Sequence, residues 1–211
     1  MPRIVIADDH AVVRKGLRLI LADSAGGMEV AGEAESADEL LSLLRARPVD
    51  AVVLDLALGE RDGIEVLKHI RAEFPRLPVL VISIHSEEVF AMRALRAGAA
   101  GFIEKAAPAE VLLDAVRRVA AGGTYVSEAM AGRLTAEFAR GPAGALPHER
   151  LSDREFEIFR LLGSGKSVTE IARALNLSVK TVSTHRTRIL SKTGLVTNAE
   201  IVDYVNSNGL R

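Results

Sequence analysis

Asp8 and Asp9 follow the apolar run Ile4-Val5-Ile6-Ala7, and Asp55 follows Ala51-Val52-Val53-Leu54. If those runs are neighbouring strands, three carboxylates meet, repel one another and raise each other's pKa values. A hard divalent cation with oxygen ligands removes that conflict. Mg2+, which accepts a few carboxylates and keeps several waters, is the natural choice. Ser83 ends the run Val79-Leu80-Val81-Ile82, and Lys105 follows Gly101–Glu104. Carboxylates, a cation, an ammonium and a hydroxyl suit a phosphoryl group stabilised mainly by charge. One acid can itself be the nucleophile and form an acyl phosphate. Asp55, central on the middle strand, is the candidate. Singly, each residue is ordinary: an acid after a strand is usually a turn or cap residue, and a lone lysine is solvated. The joint occurrence at four strand ends carries the reading.

Five strands must position these groups. Arg3–Ala7, Ala51–Leu54 and Val79–Ile82 are β-branched runs, and Glu29–Ala34 and Gly101–Glu104 are weaker ones. Between them lie stretches with helical apolar spacing, such as Asp38–Leu44 and Ile64, Leu67, His69 and Ile70. Continuous apolar strands alternating with helices predict a parallel sheet covered on both faces, an α/β flavodoxin-like (βα)5 domain over residues 1–122. Ligands of such sheets gather beyond the carboxyl ends of the strands, where all five candidate residues fall.

Gly122 and Gly123 open a polar joint, residues 123–149, with room for an extra helix over 124–138 and a flexible linker at about 140–149, where Gly and Pro interrupt any helix. Residues 150–211 carry no strand signal. Ser152 with Glu155 and Ser167 with Glu170 read as capping boxes opening helices that end near Leu162 and Leu175. Ser178 caps a third helix to about Lys192, and a fourth runs from about Asn198 to Val205. A short helix, a tight turn at Asn176 and a longer basic helix form a helix-turn-helix inside an all-α four-helix domain.

On the third of these helices Val182, His185 and Ile189 share one stripe. Lys180, Ser183, Thr184, Thr187, Arg188 and Ser191 share the other. An apolar back and a front of hydroxyls and cations suit the major groove of double-stranded DNA. The charge distribution agrees. Residues 1–122 hold 15 Lys/Arg against 19 Asp/Glu, while residues 151–211 hold 9 against 6. A basic C-terminal third points to an anionic partner. The chain of 211 residues has no cysteine, which excludes disulfides and thiolate metal sites. With no apolar run of about 18 residues and no signal-peptide pattern, a cytoplasmic protein without membrane attachment is expected.

IVIADDH, VVLDLALGERDG, VLVIS and GFIEK together resemble the receiver domain of bacterial response regulators. The resemblance implies that Asp55 is phosphorylated by a partner histidine kinase. Mg2+ would be held by Asp8, Asp9, Asp55 and the Ala57 backbone carbonyl, with Ser83 and Lys105 on the phosphoryl oxygens. Ser83 and Phe102 would be the switch pair. Three departures stand out. Gly59 and Glu60 replace the usual Pro-Gly, which predicts a looser, more negative loop. Ile84 replaces a small residue beside the pocket. Phe102 lacks a tyrosine hydroxyl. EIARALNLSVKTVSTH, within residues 151–195, resembles the LuxR-type helix-turn-helix. That resemblance implies base contacts from Ser183, Thr184 and Thr187 and phosphate contacts from Lys180, Arg186, Arg188 and Lys192. His185 would be packed and backbone-bonded. Val168 and Thr169 replace a usual Asn-Lys/Arg pair. Ile201, Val202 and Val205 would supply the contact of a homodimer on DNA, belong to a fourth core helix, or do both.

Together the halves resemble the NarL/FixJ class: non-enzymatic transcription regulators in which phosphorylation controls dimerisation and DNA binding. The alternative is a DNA-binding regulator with a degenerate receiver, independent of phosphate. A haloacid-type phosphatase would need a second acid two residues after Asp55, where this chain has Ala57.

Overall fold

The computed structural model describes all residues except 23–26, 59–60, 85–86, 129, 133, 136–145 and 211. The chain divides into two compact units, Met1–Ala136 and Glu137–Arg211.

The strands of the first unit are β1 (Arg3–Ala7), β2 (Glu29–Ala34), β3 (Ala51–Asp55), β4 (Ala57–Leu58), β5 (Arg61–Asp62), β6 (Val79–Ser83) and β7 (Gly101–Glu104). Its helices are α1 (Ala11–Ala22), α2 (Ala37–Ala46), α3 (Gly63–Glu73), α4 (Glu87–Arg96) and α5 (Ala109–Ala120). The five longer strands form one parallel sheet in the order β2-β1-β3-β6-β7. The three central strands are almost wholly buried, from Ile4 to Ala7, Ala51 to Asp55 and Val79 to Ser83. That burial on both faces explains their unbroken apolar sequences, each large aliphatic side chain contributing roughly 1.5–3 kcal/mol. Ser36 caps α2, accepting from the Glu39 backbone N–H at 3.3 Å. Asp55 and Ser83 are the last residues of their strands rather than the first residues after them, so both are held by the sheet.

The sequence gives no sign of the small hairpin that follows Asp55. There β4 pairs antiparallel with β5. Gly59 and Glu60, expected to make a looser loop, lie outside the described residues. Gly63 begins α3 directly against this segment. A Cβ there would lie 2.4 Å from Leu56 Cα and 2.8 Å from the Asp55 carbonyl oxygen, so no side chain fits.

Both edges of the sheet carry a cover. On β2 the Arg47 guanidinium donates to the Ala31 carbonyl at 2.6 Å. On β7 the chain leaving α5 returns so that the Tyr125 N–H donates to the Ala100 carbonyl at 2.9 Å, forming a parallel bridge with Gly101.

The first described element of the second unit is a 3-10 turn, Pro147–Arg150, at the end of the stretch expected as linker. Four helices follow: α6 (Asp153–Gly163), α7 (Val168–Ala174), α8 (Val179–Thr193) and α9 (Asn198–Ser207). Both predicted capping boxes form. The Ser152 and Ser167 backbone N–H groups each donate to the glutamate three residues on, at 2.8 Å. Between α7 and α8, Asn176 takes φ 51°, a left-handed turn that asparagine tolerates. Gly194, φ 75°, ends α8. Phe156, Phe159, Leu162, Ile171, Val182, Ile189, Ile201 and Val205 form the buried core. No helix among the described residues is long and apolar enough to cross a membrane.

Candidate functional site

Asp8 and Asp55 are 0% and 1% exposed at the carboxyl end of the sheet. Strand pairing explains their approach: β1 and β3 are hydrogen-bonded neighbours, with Ala7 opposite Leu54. Lys105, just beyond β7, reaches across. Its Nζ donates to Asp55 Oδ2 at 2.6 Å and lies 2.6 Å from Asp8 Oδ2, there as an ion pair rather than an aligned hydrogen bond. Ser83 is buried beside it on β6, its carbonyl accepting from the Lys105 backbone N–H at 2.7 Å. Asp9 is more open. Asp8, Asp9, His10 and Asp55 each place one ligand atom within 4.8 Å of the others.

The charges do not balance. Two buried carboxylates share one ammonium, and Asp55 Oδ1 is buried without a hydrogen-bond partner among the described residues. Burial, and secondarily the Asp8 charge, push the Asp55 carboxyl above its ordinary value, against the pull of Lys105 and the Ala57 backbone. For Lys105, burial opposes the charge, but Asp55 and Asp8 outweigh it and raise its pKa. Three carboxylates, Asp8 and Asp55 buried and Asp9 exposed, with surplus negative charge and an orphaned carboxylate oxygen, fit a hard cation such as Mg2+.

His10 is the member of this group to which sequence reasoning gave no role. Its Nδ1 lies 2.6 Å from Asp9 Oδ1, and its backbone N–H donates to Asp8 Oδ1 at 2.8 Å. Arg14 is a second, donating to the Asp8 backbone carbonyl at 2.6 Å. His10 was legible as part of IVIADDH, whereas Arg14 is separated from Asp8 by a helical turn and carried no signal. Phe102 is buried on β7. Ile84, which follows Ser83 where a small residue is usual, is 74% exposed.

In the second unit the free face of α8 carries Lys180, Ser183, Thr184, Thr187, Arg188 and Ser191, all exposed. Val182 and Ile189 are fully buried on the opposite face. His185 is half-buried there, with one correction: its Nδ1 has no hydrogen-bond partner among the described residues, so the expected backbone bond is absent from that atom. Burial lowers its pKa, Glu155 opposes, and Arg188, Arg154 and Lys192 add to the lowering.

The four expected phosphate-contacting cations differ in their engagements. The Lys180 and Arg188 side chains have no hydrogen bond or ion pair among the described residues. Arg186 donates to a neutral acceptor, Asn198 Oδ1, at 2.7 Å. Lys192 is turned inward: its Nζ lies 2.6 Å from Oε2 of Glu155, which is 3% exposed. Its charge is spent on a buried partner, because Glu155 cannot otherwise leave water cheaply. If α8 meets DNA, Arg188→Ala is expected to weaken binding to all sequences and flatten the plot of log K against log salt by about one unit. An unchanged slope in a salt titration would remove Arg188 from the phosphate contacts.

Ile201 and Val205 require a second correction. Both are fully buried against the unit's own core, where Val205 packs so closely on α6 that a Cβ at Gly163 would lie 2.4 Å from its Cγ2. Their side chains are unavailable to a second copy. Of the three expected dimer contacts only Val202 retains exposed surface.

Comparison with known proteins agrees with this anatomy. Residues 4–117 match the response regulator receiver domain, and residues 149–205 match the bacterial regulatory proteins of the luxR family. The chain is 30% identical over 210 residues to the response regulator UvrY of Escherichia coli O6:H1, covering 100% of this chain and 96% of that protein. It is 37% identical to the oxygen regulatory protein NreC of Staphylococcus carnosus, covering 96% and 95%. Among solved structures, RcsB of Salmonella enterica serovar Typhimurium, bound to promoter P1flhDC in the presence of phosphomimetic BeF3−, is 28% identical with a TM-score of 0.59 and 97% of each chain covered. The chain therefore belongs to the NarL/FixJ class of two-component response regulators, with a receiver domain followed by a LuxR-type helix-turn-helix DNA-binding domain.

Proposed function

We propose that the chain is a phosphorylation-controlled transcription regulator, with residues 1–122 as the phosphoacceptor domain, 123–149 as the joint and 150–211 as the DNA-binding domain. Asp55 accepts a phosphoryl group from a sensor histidine kinase. The observation that carries this reading is the pair of buried acids sharing one lysine, with Asp55 Oδ1 left unpartnered.

The chain's own residues divide the work. An Asp55 carboxylate oxygen attacks phosphorus, and the new P–O bond forms as the bond to the donor breaks. Lys105, already on Asp55, supplies positive charge to the phosphoryl oxygens, and the Ser83 hydroxyl supplies a hydrogen bond. Asp8, Asp9, Asp55 and the Ala57 carbonyl would hold Mg2+, which when bound neutralises charge that Lys105 alone leaves unbalanced. A Ser83 drawn towards the phosphate vacates space for Phe102, one strand away on β7, to shift. Having no hydroxyl, Phe102 can make that switch only by its shape.

Phosphorylation then acts as a population shift between two arrangements of the chain, favouring the one that dimerises on DNA. The RcsB complex with promoter DNA and a phosphomimetic supports this by analogy. The test is sedimentation and DNA binding of the full-length chain, with and without beryllofluoride and Mg2+. A larger assembly and at least about ten-fold tighter DNA binding with the phosphomimetic are expected, equal to about 1.4 kcal/mol of coupling. Identical DNA binding in both states would favour the phosphate-independent regulator instead.

A further inference from the structure

The exposed face of α8 holds two threonines whose hydroxyls are already committed. Thr184 Oγ1 donates to the Lys180 carbonyl at 3.0 Å, and Thr187 Oγ1 donates to the Ser183 carbonyl at 3.2 Å. A hydroxyl has one proton, so neither side chain retains a donor for a ligand. Threonine in a helix divides between two rotamers because of this bond to the preceding turn. Here both residues take the bonded one. What each presents outward is a methyl group, held in one orientation, and residual acceptor lone pairs. The two are three residues apart on one face, so the methyls form a short row.

The major groove offers a matching feature. Thymine alone among the four bases carries a C5-methyl group there, and apolar side-chain groups, the threonine methyl among them, read it by contact. Guanine N7 and O6 need a donor, which these hydroxyls have given to the helix. We infer that α8 reads thymine 5-methyl groups through the methyls of Thr184 and Thr187, which makes these two residues determinants of sequence preference. The flanking Lys180 and Arg188, whose side chains have no hydrogen bond or ion pair among the described residues, set the helix on the phosphates. This inference rests on the DNA-binding reading above and specifies which base feature that reading uses.

The test separates the methyl from the hydroxyl on both partners. The full-length chain, with beryllofluoride and Mg2+, selects duplexes from a randomised pool. The enriched sequence is then remade with deoxyuridine replacing thymidine one position at a time. That change removes one methyl and nothing else. Wild type is expected to bind about four-fold more weakly at one or two positions per half-site, the loss expected for one methyl-sized contact. Thr184→Val and Thr187→Val keep the methyl and are expected to keep that sensitivity. Thr184→Ser and Thr187→Ser keep the hydroxyl and its bond to the helix, and are expected to lose the sensitivity at the position each residue reads. Wild type within two-fold at every deoxyuridine position would overturn the assignment, as would serine variants that retain the sensitivity. If the pool yields no enriched sequence with or without beryllofluoride, the DNA-binding reading itself falls and this one with it.

Discussion

Incubated with acetyl phosphate and Mg2+, the wild-type chain is expected to gain one base-labile phosphoryl group, and the Asp55→Asn chain none. Asp55 is buried at the carboxyl end of the central strand, with Lys105 on one oxygen and no hydrogen bond from a described residue on the other, so its carboxylate can serve both the cation and the phosphoryl group. An amide nitrogen or oxygen at the same place cannot form the acyl phosphate. Intact-mass measurement before and after mild base decides the matter. An adduct that survives Asp55→Asn would move the nucleophile to Asp8 or Asp9.

The same substitution has a second consequence, with a definite sign. The Asp55 carboxyl is raised above its ordinary 3.8 by burial first and Asp8 second. The folded chain then holds that proton more tightly than the unfolded one, so stability falls as pH rises from the ordinary value through the raised one, and stays lowered above it. An asparagine side chain at this position does not titrate. Without Mg2+, Asp55→Asn is therefore expected to be more stable than wild type at neutral pH, with the advantage shrinking towards about pH 4. Mg2+ should stabilise wild type more than the variant. Melting curves at the two pH values, with and without metal, read both effects. A neutral-pH melting temperature below wild type would mean that Lys105 needs Asp55 more than Asp55 suffers from burial.

Glu155→Ala is expected to cost the second unit about 2–3 kcal/mol, the scale of breaking a buried charged hydrogen-bond network. One carboxylate oxygen accepts both the Ser152 backbone N–H at 2.8 Å and Lys192 Nζ at 2.6 Å. Losing it removes the glutamate half of the α6 capping box, leaving the Ser152 Oγ half in place, and strands the cation of α8 in one step. Burial works against the Glu155 charge, but Lys192 and Ser152 outweigh it and hold the carboxyl below its ordinary 4.5. Its contribution is therefore complete above that value and lost as pH falls through the lowered one. Amide hydrogen exchange on α6 and α8 in the full-length chain isolates the effect from the other unit. Protection unchanged by Glu155→Ala would show the pair to be ornamental. Lys192→Met should also lower protection, while moving the salt slope of DNA binding by less than about half a unit. A full-unit change would return Lys192 to the phosphates.

The large elements were legible because their residues obey simple periodicities. Unbroken β-branched runs marked the buried strands, and Ser152, Ser167 and Ser178 marked helix starts by cap chemistry. The acids at positions 8, 9 and 55 and Lys105 were legible as a set because a parallel sheet brings its carboxyl ends together. Less legible were features set by two distant residues at once. Nothing in the spacing says that Lys192 faces Glu155 rather than solvent, because the side of α8 on which a long lysine folds depends on what α6 leaves buried. Ile201 and Val205 read equally as core and as interface, since both are apolar at helical spacing. Their burial, with Val205 against Gly163, decides it. The β4–β5 hairpin escaped because two-residue strands have no periodicity to detect.

The covered sheet edges bear on how copies of this chain can meet. Strands exposed at a margin are templates for pairing with another molecule's backbone. Here the Arg47 guanidinium occupies the Ala31 carbonyl of β2, where the register with β1 shifts, and the chain's own Tyr125 bridges to Gly101 of β7. At those points strand-by-strand polymerisation finds its donors and acceptors already taken. If copies of the first unit associate, these two points of the sheet margin are closed to backbone pairing, while its helix surfaces stay accessible and can be tuned by a single charge.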